Sequence, residues 1–407
     1  MIPHLFNKLL QEDARLSRSL RLAANETLIS ETALTLSKLR IGESYYLGAG
    51  DNDDIIDFAP FTFAGRPAIG ALEVAADNAV KKMLRAESVS FQCLSGVHAM
   101  TSMILALTEP DWTVLSLALD HGGHFSTSMI VQATGRKHDW IRLDESCERF
   151  DLDNLCQRIS SPSKTLVYLD VSMNRTNHDL SGFRDAAGSE TTLLYDASHT
   201  LGLMMGGVFT NPFDFGFDVL SGNSHKTLPG PQKAIVCFGN EHVRNRANIR
   251  LNAGLTSSVH AGSLIGLIVT VLEMEQFATE YASACVANAN ALGEALGNLG
   301  VCVRRLSNGM VTQNHQVHIE LPEALGYRDV HTNLASNNIV ANIDGAFGTP
   351  YLRIGTQYTT RMGMSPAEMK EIAVLIDRSL CGYNLEDEVN TLVMRFPHVK
   401  YSFDGDY

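Results

Sequence analysis

A lysine and an aspartate stand at the ends of two apolar segments of this chain. Asp196 ends the run Leu193-Leu194-Tyr195, and 30 residues later Lys226 follows the small polar stretch Gly222-Asn223-Ser224-His225. A lysine amine can form a Schiff base with an aldehyde. An aspartate can keep a proton on the nitrogen of an aromatic ring, so that the ring accepts electrons. Two strand ends that deliver this pair would supply what pyridoxal phosphate (PLP) chemistry needs.

Two further clusters follow apolar runs, and each also has a simpler interpretation. Ser95-Gly96-Val97-His98 opens a helical pattern. A helix N-terminus there could bind a phosphate, or Ser95 could be only an N-cap. His121 and His124 flank a Gly-Gly pair, so one ring could stack on an aromatic cofactor or serve as a capping group. Metal binding is a weaker alternative, because no third ligand is suggested nearby.

Four more residues complete the chemical pattern. Ser172 follows an apolar run and could hydrogen-bond a cofactor, but by itself it carries little information. His199 could flank a cofactor ring or cap a helix, and His225 directly precedes the lysine. Arg353 lies in an apolar strand pattern, where its guanidinium suits a substrate carboxylate or an internal salt bridge equally well.

Net charge, cysteine spacing and the length of apolar runs exclude several classes of protein. The chain has 407 residues and a formal net charge of −13, which argues against a non-specific nucleic-acid surface. Seven scattered cysteines without paired spacing indicate a reducing compartment rather than disulfides or a zinc site. We find neither a signal-peptide pattern nor an uncharged run of membrane-spanning length. The sequence therefore predicts a cytoplasmic protein without a structural metal.

Short apolar runs that alternate with helical patterns predict an α/β fold with a mostly parallel sheet between helices. We expect a helical N-terminal arm over 1–40, a large cofactor-binding domain over 41–257 and connecting helices over 258–299. A smaller α+β domain with a tail should occupy 300–407.

Taken in order, these motifs resemble serine hydroxymethyltransferase, a fold-type I PLP enzyme. The resemblance is carried by His121-Gly122-Gly123-His124, by Asp196 and His199, and by Ser224-His225-Lys226-Thr227-Leu228 with Gly230-Pro231. Arg353-Ile354-Gly355-Thr356 resembles a strand of the family's small domain. The resemblance implies a seven-stranded, mostly parallel sheet, bound PLP and a homodimer with shared active sites.

The same resemblance implies a role for each site residue. Lys226 would hold PLP, Asp196 would bind its ring nitrogen, His121 would stack on the ring, and Glu43 would be the acid–base glutamate. The residues implied to bind the cofactor are Ser95, Gly96, Val97, His121, Ser172, Asp196, His199, His225 and Lys226, with Gly262 reaching the phosphate from a partner subunit. The residues implied to bind the substrate are Asn25, Tyr45 and Arg353.

Two positions depart from that family near the expected folate side. Asn25 replaces a serine, and Gln232 replaces an arginine after Gly-Pro. Both look right for the L-threonine transaldolases of natural-product pathways, as does Gly222-Asn223-Ser224-His225-Lys226. We therefore expect folate-independent cleavage and transfer at Cα–Cβ of a β-hydroxy-α-amino acid, with an aldehyde as second substrate. Tetrahydrofolate-dependent hydroxymethyl transfer, β-elimination and decarboxylation with deamination on the same scaffold remain alternatives.

Overall fold

The structure of the protein is a computed structural model, and it describes residues 2–48, 55–58, 61–321, 326–345 and 350–403. Two compact units are present. One comprises residues 27–283 and 401–407, and the other comprises residues 1–26 and 284–400. Each unit is described by itself below.

Regular elements cover most of the described residues. The helices are α1 (Ile2–Leu16), α2 (Glu31–Ser37), α3 (Pro67–Leu84), α4 (Gly96–Leu107), α5 (Phe125–Ala133), α6 (Leu152–Arg158), α7 (Phe183–Ala187), α8 (Leu201–Met205), α9 (Glu241–Arg250), α10 (Ala261–Asn298), α11 (Tyr327–Ser336), α12 (Gln357–Arg361), α13 (Pro366–Leu380) and α14 (Glu386–Met394). The strands are β1 (Leu20–Arg21), β2 (Ile55–Phe58), β3 (Phe61–Ala64), β4 (Ser88–Ser90), β5 (Thr113–Leu117), β6 (Lys137–Ile141), β7 (Thr165–Leu169), β8 (Thr192–Asp196), β9 (Val219–His225), β10 (Pro229–Phe238), β11 (Gln316–Glu320), β12 (Ile339–Val340), β13 (Asn342–Asp344) and β14 (Tyr351–Gly355).

The larger unit is built on a seven-stranded sheet with the order β4-β10-β9-β8-β7-β5-β6. The neighbours from β9 to β6 run parallel, whereas β10 is antiparallel to both β9 and β4. The predicted mostly parallel sheet is confirmed. Because β4 therefore runs in the same direction as β9, the carboxyl ends of β4, β5, β7, β8 and β9 share one edge, where ligands of such sheets bind.

Buried strands can be predicted from the sequence by their apolar residues, whereas an exposed edge strand cannot. Every residue of β7 and β8 is buried, and each strand contains a run of apolar residues, 166–169 in β7 and 193–195 in β8. The edge strand β6 begins with Lys137, His138 and Asp139, so it lacks the apolar run by which a buried strand can be predicted from sequence. One buried cluster joins α4 to the sheet and includes Met103, Ile104, Leu107, Leu166, Leu194 and Val219.

The smaller unit contains the antiparallel sheet β11-β14-β13. Its first residues come from the N-terminus, because β1 pairs in parallel with β12, in the register Leu20 to Ile339. Ala23 forms a further bridge to Ile354. The backbone pairing of residues over 300 positions apart thus divides the predicted 1–40 arm, placing residues 1–26 in this unit. A sequence pattern that reports only local periodicity does not contain that pairing.

The stretch predicted as connecting helices is one 38-residue helix, α10. It is long and apolar enough to cross a membrane by length and composition alone, and it is the helix among the described residues that meets this criterion. However, 67% of its apolar stretch is buried inside the protein, as in the core helix of a soluble protein.

Candidate functional site

Lys226 lies in a three-residue loop between two antiparallel strands. The polar stretch before it is not a turn, because β9 continues through His225, and Pro229 pairs with His225 across the loop. The Lys226 side chain is buried, with 7% of its surface exposed, and its Nζ lies 3.1 Å from Nε2 of His199. The Lys226 amine therefore lies within hydrogen-bonding distance of His199, which follows Asp196 by three residues.

Helix α8 fixes the position of this lysine loop. The Gly202 amide donates a hydrogen bond to Thr227 Oγ1 at 3.2 Å. A Cβ on Gly202 would lie 2.3 Å from the backbone oxygen of Thr227. Only a glycine therefore allows α8 to approach the residue after Lys226 so closely. The sequence analysis missed Gly202, since the contact partner lies 25 residues away.

Asp196 is a buried carboxylate that already has two hydrogen-bond donors. Its Oδ2 accepts from the Tyr168 hydroxyl at 2.9 Å, and its Oδ1 accepts from the Ser198 amide at 2.9 Å. Only 8% of its surface is exposed. A carboxylate has about four acceptor positions, so a protonated ring nitrogen could add one more donor. Register pairing of Asp196 with Ser221 brings β8 alongside the strand that leads to Lys226.

The N-terminus of α4 suits a phosphate. Ser95 is the N-cap, and its Oγ accepts the His98 amide at 3.1 Å. The amides of Gly96 and Val97 precede any intrahelical acceptor, and with the helix dipole they favour an anion. A Cβ on Gly96 would lie 1.8 Å from Asn223 Oδ1, so glycine lets this helix end approach β9. Val97 is half exposed and can offer only its amide.

The His121 loop is held by a buried acid that the sequence analysis did not single out. Asp170, directly after β7, accepts hydrogen bonds from the Leu117 and His124 amides, each at 3.0 Å, and from the Thr127 hydroxyl. Two of these bonds hold the residues on either side of the loop 118–123. His121 Nδ1 accepts the Leu143 amide at 3.3 Å, which orients the ring. Stacking of this ring on a cofactor remains a prediction.

Two other predicted cofactor residues lie near these loops. The Ser172 amide donates to Gly122 O at 3.1 Å, which ties the end of the β7 segment to the histidine loop. Burial, together with the charge of Lys226, lowers the pKa of His225 to about 4. His225 is therefore neutral near pH 7. His124 caps α5 through its Nδ1, which accepts the Ser126 amide, as the simpler interpretation allowed.

Three other predicted site residues, Glu43, Tyr45 and Gly262, also belong to the larger unit. Glu43 is exposed at the end of a short 3₁₀ helix, and Tyr45 is about half exposed, with its hydroxyl 2.6 Å from Ser257 Oγ. Gly262 packs closely on Gly42, since a Cβ on Gly42 would lie 2.9 Å from Gly262 Cα. Their catalytic, substrate and phosphate roles stay predictions.

Arg353 and Asn25 belong to the smaller unit. Arg353 lies on β14, is almost fully buried, and has Nε 3.6 Å from Asp344 Oδ2. Burial lowers the pKa of the guanidinium, while the Asp344 charge raises it. Asn25 Oδ1 accepts from Asn342 Nδ2 at 3.1 Å. An internal ion pair for Arg353 is thus present, and carboxylate binding stays a prediction.

Comparison with known proteins places this site in a family. A family model described as serine hydroxymethyltransferase matches residues 2–376. The chain belongs to the serine hydroxymethyltransferase family. It is 30% identical over 396 residues to serine hydroxymethyltransferase of Methanocella arvoryzae, covering 94% of this chain and 89% of that protein.

Two similar proteins are named as transaldolases. Fluorothreonine transaldolase of Streptantibioticus cattleyicolor is 30% identical over 404 residues, which is 97% of this chain but only 63% of the length of that relative. A crystal structure of L-threonine transaldolase from Pseudomonas fluorescens in the internal aldimine state matches with a TM-score of 0.91 and 27% identity. That match covers 99% of this chain and 94% of the other.

This protein is therefore a fold-type I PLP-dependent transferase, as the motifs predicted. The residues present fit the cofactor. Lys226 supplies a buried amine, and Asp196 supplies a buried carboxylate that can accept a further hydrogen bond. Gly96 lets the N-terminus of α4 approach β9 closely. Lys226 would hold the aldehyde carbon, Asp196 the ring nitrogen and the α4 N-terminus the phosphate. Bound there, PLP supplies an electron sink for breaking bonds at the substrate Cα.

Proposed function

We propose that this protein is an L-threonine transaldolase-like enzyme that works without folate. It would convert a β-hydroxy-α-amino acid such as L-threonine and a second aldehyde into acetaldehyde and a new β-hydroxy-α-amino acid. The observation that carries this proposal is the near-complete coverage of the chain by two matches named as transaldolases, 97% and 99%. Asn25 and Gln232, which depart from serine hydroxymethyltransferase, point in the same direction.

The residues of the chain would divide the work as follows. Lys226 and Asp196 hold the cofactor, and Arg353 binds the substrate carboxylate through its guanidinium fork. Cleavage of Cα–Cβ requires an acceptor for the β-hydroxyl proton. Glu43 and a neutral histidine are the candidates, and His225, whose pKa is lowered to about 4, meets the second description. Exclusion of water from the site would favour reaction at Cα with the second aldehyde over protonation there.

Tetrahydrofolate-dependent hydroxymethyl transfer is the second candidate. It is favoured by the Methanocella arvoryzae relative, of which this chain covers 89%. The two candidates differ in what they require. Transfer to folate makes serine cleavage strictly dependent on tetrahydrofolate, whereas the transaldolase releases acetaldehyde from threonine without it.

The decisive experiment incubates the PLP-loaded protein with L-threonine and an aromatic or sugar aldehyde. We expect acetaldehyde, detected by coupled reduction, and an amino acid that contains the acceptor carbons, detected by mass spectrometry. Lys226→Ala is the inactive control. If serine is cleaved only when tetrahydrofolate is present and threonine yields no acetaldehyde, the hydroxymethyltransferase is correct instead. Formation of 2-oxobutanoate and ammonia from threonine would indicate β-elimination, and release of carbon dioxide would indicate decarboxylation.

A further inference from the structure

A buried tyrosine lies behind the carboxylate that faces the cofactor ring. Tyr168 is on β7, is fully buried, and donates its hydroxyl to Asp196 Oδ2 at 2.9 Å. The Ser221 side chain, on β9, lowers the pKa of the same phenol and so acts against burial. Ser221 is also the register partner of Asp196. Tyr168, Asp196 and Ser221 thus come from three adjacent strands, with Asp196 on the middle one.

The direction of the hydrogen bond follows from the environment. Burial and the charge of Asp196 raise the pKa of Tyr168 well above its ordinary value. The phenol therefore keeps its proton and acts as the donor. A donor to a carboxylate stabilises the ionised form of that carboxylate. Without the phenol, this buried acid would retain only the Ser198 amide as donor among the hydrogen bonds described for it.

The ionised form of Asp196 is the one that matters for the ring nitrogen. An ionised carboxylate stabilises a proton on that nitrogen, whereas a neutral carboxylic acid would keep its proton and donate a hydrogen bond to an unprotonated nitrogen. We propose that Tyr168 is a positioning residue that keeps Asp196 ionised and so keeps the cofactor ring nitrogen protonated. This inference depends on PLP binding at Lys226 and is independent of which substrate bond breaks.

Tyr168→Phe tests the inference, because it removes one oxygen and keeps the ring. Tyr195→Phe is the matched control. Tyr195 is equally buried on β8, next to Asp196 in sequence, so it points to the opposite face of the sheet, where its ring contacts Phe217. Both variants are loaded with PLP that carries ¹⁵N in the ring, and the nitrogen chemical shift is recorded across pH. We expect the Tyr168→Phe signal to move toward that of unprotonated pyridine, with no change in Tyr195→Phe.

A cofactor analogue that lacks the ring nitrogen distinguishes an effect of Tyr168 on that nitrogen from a purely structural effect of the substitution. Each protein is titrated with PLP and with the analogue in which CH replaces the ring nitrogen. We expect Tyr168→Phe to weaken PLP binding by about tenfold, as for one lost hydrogen bond to a charged group, and analogue binding by less than about twofold. Equal weakening of both ligands, or an unchanged nitrogen shift, would show that Tyr168 is only structural.

A second variant covers the case in which Tyr168→Phe does not fold. Ser221→Ala leaves the tyrosine in place and removes the hydroxyl that lowers the pKa of its phenol. We expect a smaller ¹⁵N shift change in the same direction. No shift change in a folded Ser221→Ala protein, judged by its urea unfolding curve, would overturn the proposal.

Discussion

At the scale of single residues, Asp170 makes stability depend on pH. Burial raises its pKa to about 8, although its hydrogen bonds with Thr127, Leu117 and His124 lower it. In an unfolded chain an aspartate has a pKa of about 3.9. Between these values the folded protein holds a proton that the unfolded chain has released. This contribution to stability is therefore complete below about pH 4 and is lost as pH rises through about 8.

We predict that Asp170→Asn removes this dependence. Between pH 5 and 8 the free energy of unfolding of the unsubstituted protein should fall relative to the variant by up to about 1.4 kcal/mol per pH unit. Urea unfolding at a series of pH values measures it. Asp153→Asn, at an exposed position of α6, should leave the slope unchanged. Identical slopes for Asp170→Asn and the unsubstituted protein would refute the prediction.

At the scale of elements, the contact between α8 and the lysine loop positions the reactive amine. We predict that Gly202→Ala displaces the loop, because the added Cβ would meet the Thr227 and Leu228 backbone, which has no flexible end to move away. Overpacking of this kind costs about 1–3 kcal/mol of unfolding free energy. PLP occupancy, measured by absorbance after alkaline release, should fall as well.

The control for that substitution is Gly345→Ala, since no atom of the described residues lies within 4 Å of a Cβ at Gly345. We expect that variant to keep full PLP occupancy. If Gly202→Ala binds PLP as tightly as the unsubstituted protein and unfolds at the same urea concentration, α8 does not constrain the loop.

At the scale of the whole molecule, exposed apolar side chains support the predicted homodimer. Helix α1 has no buried residue, and Leu5, Phe6 and Leu9 are each more than half exposed on one face. Such a face is costly in water unless a partner covers it. We predict that the unsubstituted protein is a dimer and that combining Leu5→Glu with Leu9→Glu weakens it, as measured by sedimentation equilibrium.

Gln11→Glu is the control, because position 11 lies on the opposite face of α1 and receives a charge of the same sign. It should leave the dimer intact. An unsubstituted protein that sediments as a monomer would refute the dimer itself. A double variant that remains as tightly associated as the control would show that another surface forms the interface.

The sequence by itself determined the cofactor chemistry and the sheet that carries it. The buried strands β8 and β9 each contain a run of apolar residues, so the end of each run could be located, and with it Asp196 after residues 193–195 and Lys226 beyond residues 219–220. These signals are local, since one strand and the residue after it lie within a few positions. The catalytic role of Glu43 and the substrate-binding roles of Tyr45 and Arg353 remain predictions.

Only the tertiary structure decided what surrounds the reactive groups. Tyr168 reads as one more apolar residue of β7, and its hydrogen bond to Asp196 exists only because two strands lie side by side. Gly202 and Asp170 likewise act on partners 25 and 46 residues away. Hydrogen bonds and steric contacts act over a few ångströms in space. A linear pattern therefore reveals which groups can react, while the folded chain determines which neighbours hold and tune them.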